Sequence, residues 1–104
     1  MKRRMSINDK FELLEYLRKE AECISEGDVT WLALRYEKKT GRTEMCPFCG
    51  KRHLHGEGEG HRVAHCGIDI FGRSISRDTV FKNSKGQIFH LDRGYILVPK
   101  HEHS

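Results

Sequence analysis

The sequence predicts an α+β fold in which an N-terminal amphipathic helix packs on a small β-rich module with a C-terminal β-hairpin. Apolar residues recur at helical spacing over 6–25, a cysteine- and histidine-rich stretch falls within 29–67, and short β-favouring runs separated by turn residues occupy 78–98. The chain has 104 residues, of which 37% are hydrophobic and 33% charged. A chain of this size is expected to form one small domain over 1–104, with a thin core that needs additional stabilisation.

The predicted helix over 6–25 has a start signal and a stop signal. Ser6 is placed to cap the first turn, and Gly27 follows as a stop. Glu15 and Lys19 are spaced to form an i, i+4 ion pair. The apolar residues expected on one face, which would cover the sheet, are Phe11, Leu14, Leu17, Ala21 and Ile24.

Residues 29–38 fit both kinds of regular structure. A helix would align Val29, Leu32, Ala33 and Tyr36, whereas a strand would align Thr30, Leu32, Leu34 and Tyr36. The β-branched and aromatic content favours a strand that leads into a turn at 39–42. A second helix ending at Gly41 stays open as the alternative.

Residues 78–98 are predicted to form a β-hairpin followed by a further short strand. The turn residues 83–86 separate two β-favouring runs. The further strand covers 95–98 and is ended by Pro99.

The chemically informative stretch is the run CPFCGKRHLHGEGEGHRVAHCG at 46–67. Cys46 and Cys49 form a C-x-x-C pair that can present two sulfurs to one tetrahedral ion, and Gly50 lets the chain turn back. This CPxCG segment resembles the knuckle of zinc-ribbon proteins. The run up to Cys66 also looks like small zinc-binding proteins of phages and other mobile elements. Both the spacing and the resemblance predict one structural Zn²⁺.

Cys66 is the expected third ligand, because thiolate suits zinc and a glycine follows it, as one follows Cys49. A complete ribbon would carry a cysteine where Val63 stands, so a histidine must complete the site. A helical turn over 61–66 would bring His61 towards Cys66 and give the spacing C-x2-C-x11-H-x4-C, close to that of zinc fingers with Cys, Cys, His and Cys ligands. We therefore predict the ligand set Cys46, Cys49, His61 and Cys66.

Other histidines stay open as the fourth ligand. His65 is the first substitute, because it lies four residues from His61 on a helix. In a strand, His61 and Cys66 would be roughly 16 Å apart and on opposite faces. The fourth ligand would then come from the preceding loop, as His55 or His53.

Three further properties follow from the cysteines and the N-terminus. A redox C-x-x-C belongs at a strand-to-helix junction, whereas a glycine- and histidine-rich loop follows Cys49 here. The basic residues 1–6 precede no apolar segment, and no run is long enough to span a membrane, so we expect a cytoplasmic protein. Structural disulfides are disfavoured there, and Cys23 is expected as a buried or half-buried free thiol in the first helix.

A closed four-ligand zinc site is structural, so function is expected on the surface that the ion organises. Nineteen Lys and Arg against fifteen Asp and Glu give a net charge of +4. This mild basic excess is well short of the clustered charge of a strong nucleic-acid binder. The cations and aromatic rings around the site nevertheless favour a nucleic-acid-binding or transcription-associated protein. The candidate contacts are five cations, Lys51, Arg52, Arg62, Arg73 and Arg77, and three stacking rings, Phe48, Phe71 and Phe81.

Two other function classes remain as alternatives. A zinc-ribbon adaptor could dock on a protein of the transcription machinery through its N-terminal helix or an exposed hairpin strand. A zinc-dependent hydrolase, with His65 or a loop glutamate as general base, would need an open zinc position and a pocket. We predict that the chain is not an enzyme.

Overall fold

The α+β class is confirmed by a computed structural model that describes residues 5–54, 60–62 and 66–100. This part of the chain contains one helix, a six-stranded sheet and a separate two-stranded hairpin. No helix in it is long and apolar enough to cross a membrane. The elements are α1 (Ile7–Lys19), β1 (Glu22–Glu26), β2 (Val29–Tyr36), β3 (Arg42–Met45), β4 (Arg52–Leu54), β5 (Gly60–Arg62), β6 (Val80–Lys82), β7 (Ile88–His90), a 3₁₀ turn (Leu91–Arg93) and β8 (Tyr95–Pro99).

Helix α1 starts where the sequence predicts. The Ser6 hydroxyl accepts the backbone N–H of Asp9 at 3.1 Å, and the Asp9 carboxylate accepts the backbone N–H of Ser6 at 3.2 Å. This reciprocal pair satisfies two of the backbone donors that a helix start leaves open. The predicted Glu15–Lys19 ion pair is present at 2.9 Å.

The helix ends at Lys19, so the prediction of helix through residue 25 is wrong. The chain instead forms β1, which pairs antiparallel with β2 from Glu22 opposite Ala33 to Glu26 opposite Val29. Five cross-strand pairs with β2 outweigh the helical apolar spacing of this segment. Gly27, expected to stop the helix, has a φ of +59° and lies in the turn between the two strands.

Strand β2 resolves the ambiguity of 29–38 in favour of a strand. Alternate side chains Leu32, Leu34 and Tyr36 are buried, as the strand pattern predicts. β1 and β3 pair antiparallel with β2, and β8 pairs parallel with it. β2 is therefore the strand around which the sheet is built.

The hairpin β6–β7 is confirmed, with Phe81 opposite Phe89 and ring centroids 5.1 Å apart. The buried Asn83 side chain holds its turn, because its carbonyl oxygen accepts the N–H groups of Lys85 and Gln87. The predicted further strand is β8, but it joins β2 rather than the hairpin. This arrangement buries Tyr95 and Leu97 in the main sheet.

One hydrophobic core joins the sheet, the hairpin and the cysteine-rich segment. Its buried members are Leu32, Leu34, Tyr36, Cys46, Phe48, Cys49, Cys66, Phe81, Phe89, Leu91, Tyr95 and Leu97. Three of the four cysteines are thus part of the core itself. Any chemistry at their sulfurs is directly coupled to the packing of the fold.

Candidate metal centre

The C-x-x-C segment forms a tight turn between β3 and β4. The N–H of Gly50 donates to the carbonyl of Cys46, and the N–H of Cys46 donates to the carbonyl of Lys51 at 2.8 Å. The N–H of Lys51 points at the Cys49 sulfur, 3.4 Å away. A backbone donor aimed at sulfur favours a thiolate, as in metal-binding knuckles.

Gly50 is required at the end of this turn for two reasons. Its φ of +82° is a conformation that side-chain-bearing residues rarely adopt. A Cβ there would also lie 3.1 Å from the side chain of Ile70. Ile70 in turn donates its N–H to the Cys49 carbonyl at 2.8 Å, so the glycine lets the segment after Cys66 pack on the knuckle.

Four side chains converge at this turn: Cys46, Cys49, His53 and Cys66. Their ligand atoms all lie within 4.8 Å of one another. The Cys46 and Cys66 sulfurs are 3.7 Å apart, and His53 Nε2 lies 3.4 Å from the Cys49 sulfur and 3.3 Å from that of Cys66.

These spacings fit one tetrahedrally coordinated metal ion. Metal–sulfur bonds of about 2.3 Å and metal–nitrogen bonds of about 2.0 Å place tetrahedral sulfurs about 3.8 Å apart and sulfur and nitrogen about 3.5 Å apart. The observed separations of 3.3 to 3.7 Å are close to both values. None of the four cysteines, all of which lie in described segments, forms a disulfide. The cluster can therefore hold one metal ion.

The electrostatics of the three thiols also favour a cation. Burial raises the pKa of Cys46 well above its usual value, while hydrogen bonds from Cys46 and Cys66 lower the pKa of Cys49. For Cys66, the hydrogen bond with Cys46 lowers the pKa, but the hydrogen bond to Cys49 and burial outweigh it and raise the pKa to about 12. A divalent cation at the cluster would stabilise all three as thiolates.

His53 is aimed at the sulfurs by its surroundings. Its backbone N–H donates to the buried Thr43 hydroxyl at 2.8 Å, and that hydroxyl donates to the carbonyl of Glu44 at 2.7 Å. The imidazole stacks on Tyr95, with centroids 5.9 Å apart and planes at 23°. Burial raises the pKa of Tyr95, which keeps the phenol beneath the imidazole neutral.

The structure brings together the three predicted cysteines but supplies a different histidine. His61 lies in β5 with its backbone opposite Ile96 of β8, and His53 replaces it in our assignment of the fourth ligand. The two other candidates, His55 and His65, lie outside the described residues. A strand over 61–66 would require a histidine from the loop before it, and β5 shows the extended form at Gly60–Arg62.

A sequence signal for His53 does exist. β4 returns antiparallel to β3, with Arg52 opposite Met45, so the residue after Arg52 comes back beside the knuckle. A histidine a few residues after a C-x-x-C-G turn is therefore a ligand candidate on the return strand. The spacing between His61 and Cys66, on which the prediction of His61 depends, says nothing about how β4 returns along β3.

Helix α1 is tied to the knuckle by one arginine. Arg18 Nε donates to the Pro47 carbonyl at 2.9 Å, and Nη2 donates to that of Phe48 at 3.2 Å. Its guanidinium lies 5.5 Å from the Phe81 ring centroid. Burial lowers the pKa of Arg18, which is a measure of how far this cation is withdrawn from water.

The five cations predicted to contact nucleic acid come from three segments of the chain. Lys51 and Arg52 are exposed beside the knuckle, and Arg52 also donates to the carbonyl of Thr43. Arg62 is half-buried in β5, while Arg73 and Arg77 are exposed in the segment after Cys66.

Two of the three rings expected to stack on bases are unavailable. Phe48 and Phe81 are buried and pack edge to face, with centroids 5.1 Å apart. They serve the core, so their predicted stacking role is wrong. Phe71 is half-buried and remains at the surface, next to Phe11 and Arg73.

The chain matches no protein-family model, no curated protein and no solved structure. The cluster geometry is compatible with a zinc-binding module. The likeness to zinc ribbons and the phage or mobile-element origin rest on the sequence motif alone.

Proposed function

We propose that this protein is a small binding module whose Cys46, Cys49, His53 and Cys66 hold one structural Zn²⁺. The observation that carries the proposal is a set of three sulfurs and one imidazole nitrogen at tetrahedral spacing inside the core. Soft thiolates with an imidazole in tetrahedral geometry are typical zinc ligands. Four protein ligands leave no open position for water or substrate, so we assign the ion no catalytic role.

Native mass spectrometry of freshly purified, reduced protein tests the metal proposal. We expect one zinc ion per chain, lost on addition of a chelator. Protein that is metal-free as isolated and fails to take up added Zn²⁺ would contradict it, as would a different metal at full occupancy.

We further propose that the surface organised by this ion binds nucleic acid. The net charge of +4 supports this, as do the exposed cations that follow the knuckle and Cys66 in the sequence. Binding is measured by fluorescence anisotropy of labelled oligonucleotides at several salt concentrations. Affinity should fall linearly with salt on a double-logarithmic scale, because bound phosphates release counterions.

A protein-interaction adaptor is the second candidate, and exposed apolar side chains favour it. Ile7 and Tyr16 of α1, Leu54 of β4 and Ile88 of β7 all project into solvent. Such side chains commonly mark contacts with another protein. Absence of nucleic-acid binding at low salt, together with specific retention of a protein of the transcription machinery, would favour the adaptor.

A further inference from the structure

A groove runs between α1 and the segment after Cys66, and none of the four cluster residues lines it. It encloses about 490 Å³ and is lined by Phe11 and Lys19 of α1, Phe71 and Arg73 of the following segment, and Lys82 of β6. We call it the Phe11 groove. This volume falls within the range of sites that take small molecules or a few nucleotides.

The groove has an aromatic platform that is open to solvent. Phe11 is 53% exposed although it lies in the middle of a helix, and its ring centroid is 4.5 Å from that of Phe71. The guanidinium of Arg73 lies 4.9 Å from the Phe71 centroid, with its side chain 67% exposed. An aromatic ring and a flat cation are thus presented side by side, an arrangement on which a nucleobase can stack.

The loop that carries this platform is held in place before any ligand arrives. The Asp69 carboxylate accepts the N–H groups of both Phe71 and Arg73 at 2.9 Å. The neighbouring Ile70 is bonded to the Cys49 carbonyl, which ties the loop to the metal knuckle. Pre-organisation of this kind reduces the entropy lost when a flexible ligand binds.

The charge of the groove complements a phosphate backbone. Lys82 is exposed and forms no ion pair with any described residue, and Arg73 projects most of its length into solvent. The carboxylate of Asp69 is mostly turned into its own loop. Glu15 also lines the groove and pairs with Lys19 at 2.9 Å, and Asp69 lies 3.8 Å from Arg73. Four cations and two carboxylates line the groove in all, which leaves an excess of positive charge next to the aromatic platform.

We infer that the Phe11 groove binds single-stranded nucleic acid, with a base stacked on Phe11 and phosphates beside Arg73 and Lys82. The inference rests on the proposed nucleic-acid binding. It adds where on the protein the nucleic acid binds and that the bound form is single-stranded. A single strand is required because the bases of a duplex are already stacked and cannot reach an aromatic ring on the protein surface.

Anisotropy titrations of the zinc-loaded, full-length protein test this with single-stranded DNA and RNA of about 16 nucleotides and the corresponding duplexes. We expect both single strands to bind more tightly than the duplexes. Phe11→Leu keeps an apolar side chain but removes the ring, and should weaken binding about five- to a hundredfold. Tyr16→Leu is the matched control, because Tyr16 is an exposed aromatic of the same helix outside the groove, and should bind like the wild type.

A second pair of variants tests the phosphate contacts. Lys82→Gln should reduce the slope of affinity against salt by about 0.7, the value for one phosphate on a single strand. Lys39→Gln, at an exposed lysine that neither lines the groove nor belongs to the candidate nucleic-acid contacts, should change the slope less. Thermal unfolding and zinc content, equal across all four variants, separate these effects from loss of fold.

The possible outcomes are distinguishable. Three results would overturn the groove as the binding site and leave the proposed nucleic-acid binding intact: equal binding by the Phe11 and Tyr16 variants, a larger effect at Lys39 than at Lys82, or a preference for duplexes. Failure to bind any oligonucleotide at low salt overturns both and favours the protein adaptor.

Discussion

At the scale of single residues, the identity of the fourth ligand has the clearest consequences. His53 Nε2 lies 3.3 to 3.4 Å from two sulfurs, and its backbone is held by a buried hydroxyl. A side chain placed in this way contributes to the metal site at little further entropic cost. Zinc affinity should accordingly depend on this histidine more than on any other in the described chain.

We expect His53→Ala to lower zinc affinity by more than about a hundredfold, beyond the effect of losing a residue that merely supports a ligand. The matched comparison is His61→Ala, which we expect to retain wild-type affinity because the four assigned ligands already complete a tetrahedral site. Competition with a chromophoric zinc chelator measures both. The reverse order of effects would restore His61 as the ligand.

Gly50 allows a second residue-scale prediction, because Gly86 has the same φ of +82° but nothing within 4 Å of the position a Cβ would take. Gly86→Ala should cost about 1 to 2 kcal/mol, from backbone strain alone. Gly50→Ala should cost more, since its Cβ would press on Ile70 and separate the knuckle from the loop that packs on it. Urea unfolding of the zinc-loaded variants measures both losses of stability. Equal losses for Gly50→Ala and Gly86→Ala would show that a Cβ at position 50 does not press on Ile70.

At the scale of elements, the attachment of α1 is the weak point of the fold. None of its residues is fully buried, and half-buried leucines make its apolar contacts. Arg18, with two hydrogen bonds to knuckle carbonyls, is therefore its main polar anchor. The helix and the metal knuckle are thereby mechanically linked.

Arg18→Ala should destabilise the protein by about 1.5 to 3 kcal/mol, the range for hydrogen bonds from charged groups. It should also speed amide hydrogen exchange throughout α1 more than elsewhere. Lys19→Ala is the control: its ion pair with Glu15 is exposed, and its loss should change stability by less than about 0.5 kcal/mol. Unchanged exchange in α1 of the Arg18 variant would show that the leucines alone hold the helix.

At the scale of the whole molecule, the metal cluster and the hydrophobic core are one structure. Cys46, Cys49 and Cys66 pack among the buried side chains of β2, β8 and the hairpin. Removing an ion there leaves three crowded thiols at the centre of the fold. The sheet, hairpin and knuckle should therefore lose stability together rather than in separate steps.

Chelation should lower the melting temperature sharply or abolish cooperative unfolding, because metal binding at such a site is itself folding free energy, about 10 to 16 kcal/mol in zinc-finger peptides. Differential scanning calorimetry with and without chelator, in the presence of reductant, measures this. Restoration of the transition by one equivalent of Zn²⁺ is the control. A metal-free protein that melts at the same temperature would refute a structural role.

Much of the fold follows from local patterns in the chain. The cap at Ser6, the strand alternation of β2 and the turn at Asn83 are set by residues close in sequence. The end of α1 was not predictable in this way, because residues 20–25 carry helical spacing and leave the helix only when β2 offers a partner. The partner of β8 depends on burial that no local pattern encodes.

The metal site and the surface likewise have features that local sequence patterns predict and features that depend on contacts between distant segments. The C-x-x-C-G motif alone indicates two ligands and the turn that presents them, since its geometry is local. The choice of His53 depends on the return of β4 along β3, and the loss of Phe48 and Phe81 as surface rings depends on core packing. By itself, the sequence determined the class of fold, the sulfur donors and the start of the helix. Only the tertiary structure decided which histidine joins the cluster and which aromatic rings reach solvent, because both depend on contacts between segments far apart in the chain.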